Sequence, residues 1–509
     1  MKEYVTISGE VLLFTGQPNL ELLEELSKGA GDVWHSSMDH GFKNIFPELI
    51  YQTALFWWFL NDIENVKHAV NWRVNAKAFV VRKSVWEKVK GFDSSYNTVL
   101  MQGLDFGYQL LRYQGGVPMY VKGLFALDNN LPLKINVVDR YRFFRKHFAK
   151  QHLYYMFFRK GIWYFTEWKG LLKSNNQNRC NEYVKIAPRQ LNPIQGNPNV
   201  SYVLPTMLRQ EFTLQLLHDL EQQTYPPSQV VVVDATPVEK RIQNIYNKDN
   251  FSFQLIVKWQ ETKGSCRARN EAIELCNGDY IIFGDDDICI SEDFIEKHIQ
   301  LLQTYNAEAC NGLDIKADHP QQKLSDLFPK LEKLGDTRWS VGCSPTFSNA
   351  NSCVKKEVID QLIGNDVNFD GGYGEDSDFG FSILKMGKVL LHNPFSANLH
   401  LKPVQGGYRF WGAEAKKKGK LRKTQPWELD IPVKNITPVP SPTITYGLLK
   451  HYPENQFVEY TIKHFLLYLI KGKIQHLPFK IFRLPYKILQ FKRSVFYAKK
   501  LIQLGVRYK

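Results

Sequence analysis

The stretch that most constrains the fold is Gly278 to Ile290, GDYIIFGDDDICI. Tyr280, Ile281, Ile282 and Phe283 form a short apolar run of strand character that stops at Gly284. Asp285, Asp286 and Asp287 therefore fall where a buried strand surfaces. Three adjacent carboxylates repel one another. They are tolerable on a solvated loop, and useful where a divalent cation bridges them to a phosphate. An acidic turn after a strand has the same local pattern, so the flanking sequence decides between the two.

Upstream, strands and helices alternate. Tyr202-Val203-Leu204 is a strand ending at Pro205-Thr206, and Glu211 to Gln223 is a helix with Leu214, Leu217 and Leu220 on one face. Val230 to Val233 is a continuous apolar strand, as in a parallel sheet covered on both sides, and it ends in Asp234-Ala235-Thr236. A further helix holds Arg267, Arg269, Asn270 and Ala272. Such alternation, with polar residues at the strand ends, predicts an α/β, Rossmann-like, doubly wound sheet whose ligand sits at its carboxyl edge. Downstream, Ser291 to Gln303 is helical and 310–345 irregular. Asn368 to Gly380 (NFDGGYGEDSDFG) is a Gly-rich acidic loop running into a helix, and Leu390 to His400 is a returning strand.

Residues 1–135 parallel 278–400 at an offset of about 270 residues. Gly9 to Pro18 (GEVLLFTGQP) matches Gly278 to Asp287, Asn75 to Arg82 matches Asn349 to Lys356, Phe92-Asp93 matches Phe369-Asp370, and Leu104 to Gly107 matches Ser377 to Gly380. Matches kept in order at one offset are the mark of a duplicated unit. The first copy has Gly16-Gln17-Pro18 for the three aspartates and Gln102-Gly103 for Glu375-Asp376, although Asp105 survives opposite Asp378. The organisation expected is a degenerate partial domain at 1–138, a basic aromatic helical segment and linker at 139–199, a catalytic domain at 200–412, and an extended connector with a basic amphipathic helical tail at 413–509.

Formal charge is +14, and from Lys463 to Lys509 there are basic residues and no acidic ones. A greasy, basic tail suits an anionic membrane surface; nothing resembles a nucleic-acid-reading module. The seven cysteines are odd in number and lack paired metal-ligand spacing, so they read as reduced and mostly buried in a cytosolic chain. No signal-peptide pattern opens the sequence, and the longest apolar runs, at 54–60 and 464–470, are far short of a membrane span. The expected location is cytoplasmic, peripheral at the inner face of the cell membrane.

Taken in order, SYVLPT, QQTYP, VVVVDAT, GSCRARNEA, the strand with its three aspartates, FDGGYGEDSDFG and a terminal His400 make residues 200–411 resemble a family 2 glycosyltransferase of the GT-A nucleotide-sugar fold. The resemblance implies that Asp285 and Asp287 form an Asp-x-Asp motif, with His400 as third metal ligand. It also implies that Asp234 recognises the base, probing a uracil ring, and that Asp376 is the catalytic base with Glu375 beside it on the acceptor. A departing nucleoside diphosphate carries concentrated negative charge, which Mn²⁺ or Mg²⁺ on a carboxylate edge neutralises. Asp287 is the first choice for direct ligation, with Asp285 contacting the ribose or the metal through water; which of the three aspartates points inward stays open. Pro205, Thr206, Asp285 and Asp286 are expected on the nucleotide-sugar donor, and Arg269 at its phosphates. Trp339, Trp411 and Tyr373 are available to stack on sugars or to pack in the core. The function implied is an inverting, metal-dependent transfer from a UDP-sugar to a growing surface polysaccharide or lipid-linked glycan. A non-catalytic glycan-binding scaffold and a nucleotidyltransferase are the alternatives, the latter leaving Glu375-Asp376 without a role.

Overall fold

The apolar runs fold into two sheets. A computed structural model describes residues 1–54, 56–126, 133–177, 179–180, 182–344, 346–408 and 425–509. In the N-terminal half, β1 (Lys2–Val5), β2 (Val11–Thr15), β3 (Val33–His35), β4 (His68–Val70), β5 (Phe79–Arg82) and β6 (Pro118–Val121) assemble in the order β1-β2-β5-β3-β6-β4. In the C-terminal half, β7 (Val200–Thr206), β8 (Gln229–Asp234), β9 (Gln254–Trp259), β10 (Tyr280–Gly284), β11 (Ile288–Ile290), β12 (Ala309–Lys316), β13 (Asn351–Lys355) and β14 (Leu390–His400) assemble as β11-β14-β12-β13-β10-β7-β8-β9.

Every residue of β7, β8 and β10 is buried. Such strands need continuous apolar sequence because helices cover both faces of a parallel sheet, and β9-β8-β7-β10 are mutually parallel. Direction reverses at β13, which pairs antiparallel with β10 so that Gly284 faces Asn351. The polar segments after β10 and before β13 therefore meet at one edge. At Gly284 no side chain fits, because a Cβ would stand 1.8 Å from the Tyr202 hydroxyl. This close approach is what ends the apolar run and releases the three aspartates.

The two sheets share a plan. The order β2-β5-β3-β6 in the first half repeats as β10-β13-β12-β14 in the second, with the same sequence of antiparallel, antiparallel and parallel pairings. The correspondence continues past the strands. In the first half Asp105 is fully buried and bound by Lys146 Nζ (2.7 Å) and His147 Nε2 (2.6 Å), the last residues of the Val137–His147 helix. In the second, Asp378 is bound by Lys450 Nζ (2.7 Å) and His451 Nε2 (2.7 Å), the last residues of the Pro442–His451 helix. Burial would raise both aspartates, but their His and Lys partners hold each below the usual carboxylate range.

The boundaries read from sequence shift accordingly. A break at 138 falls inside the Val137–His147 helix, whose Phe143 and Phe144 pack on Phe46 in the first half's core. The segment expected as a connector and tail from 413 includes three helices, Pro442–His451, Glu454–Ile470 and Leu477–Leu504. Tyr497, Ala498 and Leu501 of the last are buried in a cluster with Cys266, Phe369 and Trp427, so its inner face belongs to the C-terminal half. Trp411 and the Lys-rich run after Ala413 lie outside the described residues. Segment 310–345 is not wholly irregular, since β12 occupies 309–316 and a helix Leu327–Leu334. All seven cysteines are free thiols, and among the described residues no helix is long and apolar enough to cross a membrane.

Candidate active site

Strand register brings the acidic residues together. β11 runs antiparallel to β14 with Ile288 opposite His400, and the Leu401 amide donates to the Asp287 carbonyl (2.8 Å), so His400 arrives beside Asp287 from more than a hundred residues away. Carboxylate oxygens of Asp285 and Asp287 and a ring nitrogen of His400 lie within 4.8 Å of one another. β12 is parallel to β14 with Asp314 beside Asn398, two residues before His400 and therefore on the same face. From there Asp314 accepts from His400 Nδ1 (3.0 Å) and leaves Nε2 turned to Asp287 Oδ1, 3.3 Å away. A carboxylate behind a histidine fixes its tautomer and orientation, the usual support for a metal-ligating imidazole. Burial would lower the His400 pKa, but the Asp287 and Asp314 carboxylates outweigh it and push it up to about 10. Two carboxylates and an imidazole converging in a buried corner are a donor set that fits Mn²⁺ or Mg²⁺, with the nitrogen favouring the former.

Asp286 lines the same cavity but is tied to its neighbours. It accepts from Thr206 Oγ1 (2.7 Å) and from Arg209 Nη1 (2.9 Å), whose guanidinium also stands 2.9 Å from Asp287. Burial, and after it the Asp287 charge, raises Asp286 to about 7 against the pull of Arg209. All three aspartates thus border the cavity, the middle one held by Thr206 and Arg209 and the outer two converging with His400.

Glu375 and Asp376 open the Glu375–Lys385 helix, following Gly374 in the left-handed region at φ +109° that favours glycine. Carboxylates in a first helical turn are stabilised by the unpaired N–H groups there. Asp376 accepts from both the backbone and the side-chain amide of Asn349, the residue that the β10–β13 register delivers to this edge. Burial and the adjacent Glu375 charge push Asp376 up to about 7, against Arg269 and Asn349. That value suits a group that must take a proton near neutrality.

Both clusters line one cavity of about 340 Å³, with Arg269 between them. Arg269 Nη2 lies 2.8 Å from Asp285, and its charge is also felt by Asp376. Pro205 lines the same space, while Thr206 lies fully buried behind it, holding Asp286. Asp234 is not brought to the cavity. Its carboxylate is fully buried and taken up by Gln210 Nε2 (2.9 Å), the Tyr246 hydroxyl (3.0 Å) and the Thr236 amide (2.7 Å), leaving it braced within the fold. Tyr373 lines the cavity, whereas Trp339 packs against Phe395 and Arg338 away from it. Sequence reasoning missed Arg209, Asp314 and Asn349. An aspartate inside the otherwise uncharged run ACNGLDI was the one signal present for Asp314.

Residues 201–362 match the model of glycosyl transferase family 2. The matched residues hold most of the mixed, Rossmann-like sheet. The match stops short of Glu375, Asp376 and His400. An uncharacterized glycosyltransferase of Haemophilus influenzae is 30% identical over 105 residues, 20% of this chain and 34% of that protein. The poly(ribitol-phosphate) beta-N-acetylglucosaminyltransferase TarS of Staphylococcus aureus is 27% identical over 170 residues, 31% of this chain and 29% of TarS. The amylovoran biosynthesis glycosyltransferase AmsB of Erwinia amylovora is 23% identical over 214 residues, 40% of this chain and 69% of AmsB. The chain therefore spans about a third of the length of the first two. Among solved structures, the mannosyltransferase PcManGT from Pyrobaculum calidifontis in complex with GDP-Man and Mn2+ is similar at 17% identity over 61% of this chain and 89% of that one, with a TM-score of 0.34, too remote to bear on the site.

Proposed function

We propose that the chain is an inverting, metal-dependent glycosyltransferase that moves a sugar from a nucleoside diphosphate donor, a UDP-sugar, onto a growing surface polysaccharide or lipid-linked glycan. The observation that carries this reading is the single cavity lined by Asp285, Asp287 and His400 on one side and by Glu375 and Asp376 on the other. The acceptor class is supported by the names of TarS and AmsB, which act on a poly(ribitol-phosphate) and in amylovoran biosynthesis.

Asp285, Asp287 and His400 would hold Mn²⁺ or Mg²⁺, which when bound supplies positive charge to the departing diphosphate. Arg209 keeps Asp286 and Asp287 from repelling each other, and Arg269 offers its guanidinium to a phosphate. Asp376 takes the proton of an acceptor hydroxyl as that oxygen bonds to the anomeric carbon on the face opposite the diphosphate, whose bond to the sugar breaks. One displacement inverts the anomeric centre. Asn349 orients the carboxylate for that step.

The N-terminal half is read as a decayed copy of the same unit, extending through the helices after its sheet. Shared strand order and the repeated Lys-His grip on a buried aspartate support this. The grip persists where the catalytic acids are gone, so Lys450 and His451 act on the scaffold and not on substrate.

A thermal-shift screen tests the donor assignment. UDP at a hundredfold its Kd should stabilise by about 2.7 kcal/mol in the presence of Mn²⁺, a shift of several degrees, with GDP and chelated samples moving little. Equal shifts with and without metal would remove the metal-linked donor.

The Glu454–Ile470 and Leu477–Leu504 helices present exposed Ile470 (63%), Phe479, Phe482 (83%) and Tyr486 beside Lys471, Lys473, Arg483 and Lys487. Beyond the Lys150–Lys160 helix, which joins this pair through Arg159 and Glu459, Trp163 is 88% exposed. Apolar side chains among basic ones suit the surface of an anionic leaflet, each basic residue adding about 1 kcal/mol. These features support a position at the cytoplasmic face of the membrane, beside a lipid-linked acceptor. It should sediment with vesicles containing phosphatidylglycerol and not with neutral phosphatidylcholine vesicles, and Phe482→Glu with Arg483→Glu should release it. Sedimentation that is equal with both lipids would contradict this.

A further inference from the structure

A second cavity, of about 330 Å³, adjoins the first at Tyr373, which lines both. Its wall comes from three parts of the chain. Tyr51 and Phe56 belong to the N-terminal half, Ser377 and Phe381 to the helix that begins with the acidic pair, and Ile444 to the Pro442–His451 helix. None of these five lies in residues 201–362, although Thr346, which also lines the space, does. Its size reaches the lower end of ligand-sized pockets, about 300–1,000 Å³.

Adjacent residues of one helix face the two spaces. Asp376 lines the first cavity and Ser377 the second, as a turn of about 100° per residue allows. A molecule whose hydroxyl meets Asp376 and that extends past Tyr373 would have its next portion at Ser377. That portion meets aromatic rings, Tyr51, Phe56, Phe381 and Tyr373, together with the hydroxyl-bearing Ser377 and Thr443. Rings that offer a flat apolar face beside a few hydroxyls match a pyranose, which has one face of C–H groups and a rim of hydroxyls.

We propose that this second cavity binds the penultimate sugar of the acceptor glycan, with the N-terminal half supplying Tyr51 and Phe56 as its outer wall. The proposal rests on the transferase reading, to which it adds an acceptor of at least two sugar units and a task for the half that lacks catalytic acids.

Saturation-transfer NMR on the full chain with UDP and Mn²⁺ tests it, using paired p-nitrophenyl monosaccharides and disaccharides of glucose, galactose and N-acetylglucosamine, with n-octyl glucoside as the lipid-like probe. At least one disaccharide should bind about tenfold more tightly than its monosaccharide, with saturation on its inner ring. Ile444→Trp, which fills the cavity from a partly exposed position, and Tyr51→Leu should each remove that advantage, and Ile444→Val should retain it. Thermal midpoints within a few degrees of the parent exclude unfolding. The proposal is overturned if no disaccharide gains over its monosaccharide, if the gain survives Ile444→Trp, or if octyl glucoside alone responds to the variants. UDP release from UDP-sugars in water, followed alongside, separates the two levels. Its absence in the parent protein counts against the transferase reading, whereas its presence with no disaccharide advantage counts only against the second cavity.

Discussion

Asp376→Asn should lower sugar transfer by about 10²–10⁴-fold, the usual contribution of a positioned general base, while leaving the Kd for UDP with Mn²⁺ within about twofold. The side chain keeps its size and its place at the first turn of the Glu375–Lys385 helix, but an amide cannot accept the hydroxyl proton. Donor affinity is spared because Asp376 stands across Arg269 from Asp285, Asp287 and His400. The parent protein should also show an acid limb. Burial and Glu375 put the Asp376 pKa at about 7, and a base works only when deprotonated, so the rate should fall as pH drops through that value. In Asp376→Asn the residual rate should lose that limb. Full turnover by the variant would remove Asp376 as the base.

Asp287→Ala should be as damaging, by a different route. The substitution deletes the carboxylate that faces His400 Nε2 and leaves Arg209 with Asp286 as its nearest remaining acid. Losing one preorganised electrostatic partner of a transition state costs about 10²–10³-fold. Losing a ligand should in addition abolish Mn²⁺-linked UDP binding in calorimetry. An Asp314→Asn variant should weaken Mn²⁺ about 10–100-fold, because the lost partner orients His400 and does not touch the metal. Unaltered metal affinity in Asp287→Ala would refute its role as ligand.

What could be read from the chain before its coordinates follows a physical divide. Buried parallel strands announce themselves, since VVVV at 230–233 and YIIF at 280–283 have no other use for such uniform apolar sequence. The acidic residues that end them were legible for the same reason, being charges placed where apolar runs stop. Residues whose importance comes from register were not. Asp314 reaches His400 only because β12 lies parallel to β14, and Asn349 reaches Asp376 only because β13 lies antiparallel to β10. Both pairings are long-range and leave no local mark. Asp234 has different surroundings. It sits at a strand end like Asp285, yet Gln210 and Tyr246 close over it, and neither closure can be seen along the strand. The Lys-His pairs at 146–147 and 450–451 were present in the sequence, but loops of unequal length carry them out of the offset that aligned the strands.

A divalent cation held where β10 surfaces should face the acid pair at the start of the Glu375–Lys385 helix across one donor sugar. Anomalous diffraction from crystals grown with Mn²⁺ and UDP tests this most directly. One strong manganese peak is expected at about 2.0–2.3 Å from Asp287 and His400, with the diphosphate on the side of Arg269. A peak at any other acidic cluster, or a diphosphate seated away from the cavity that Asp376 lines, would contradict it.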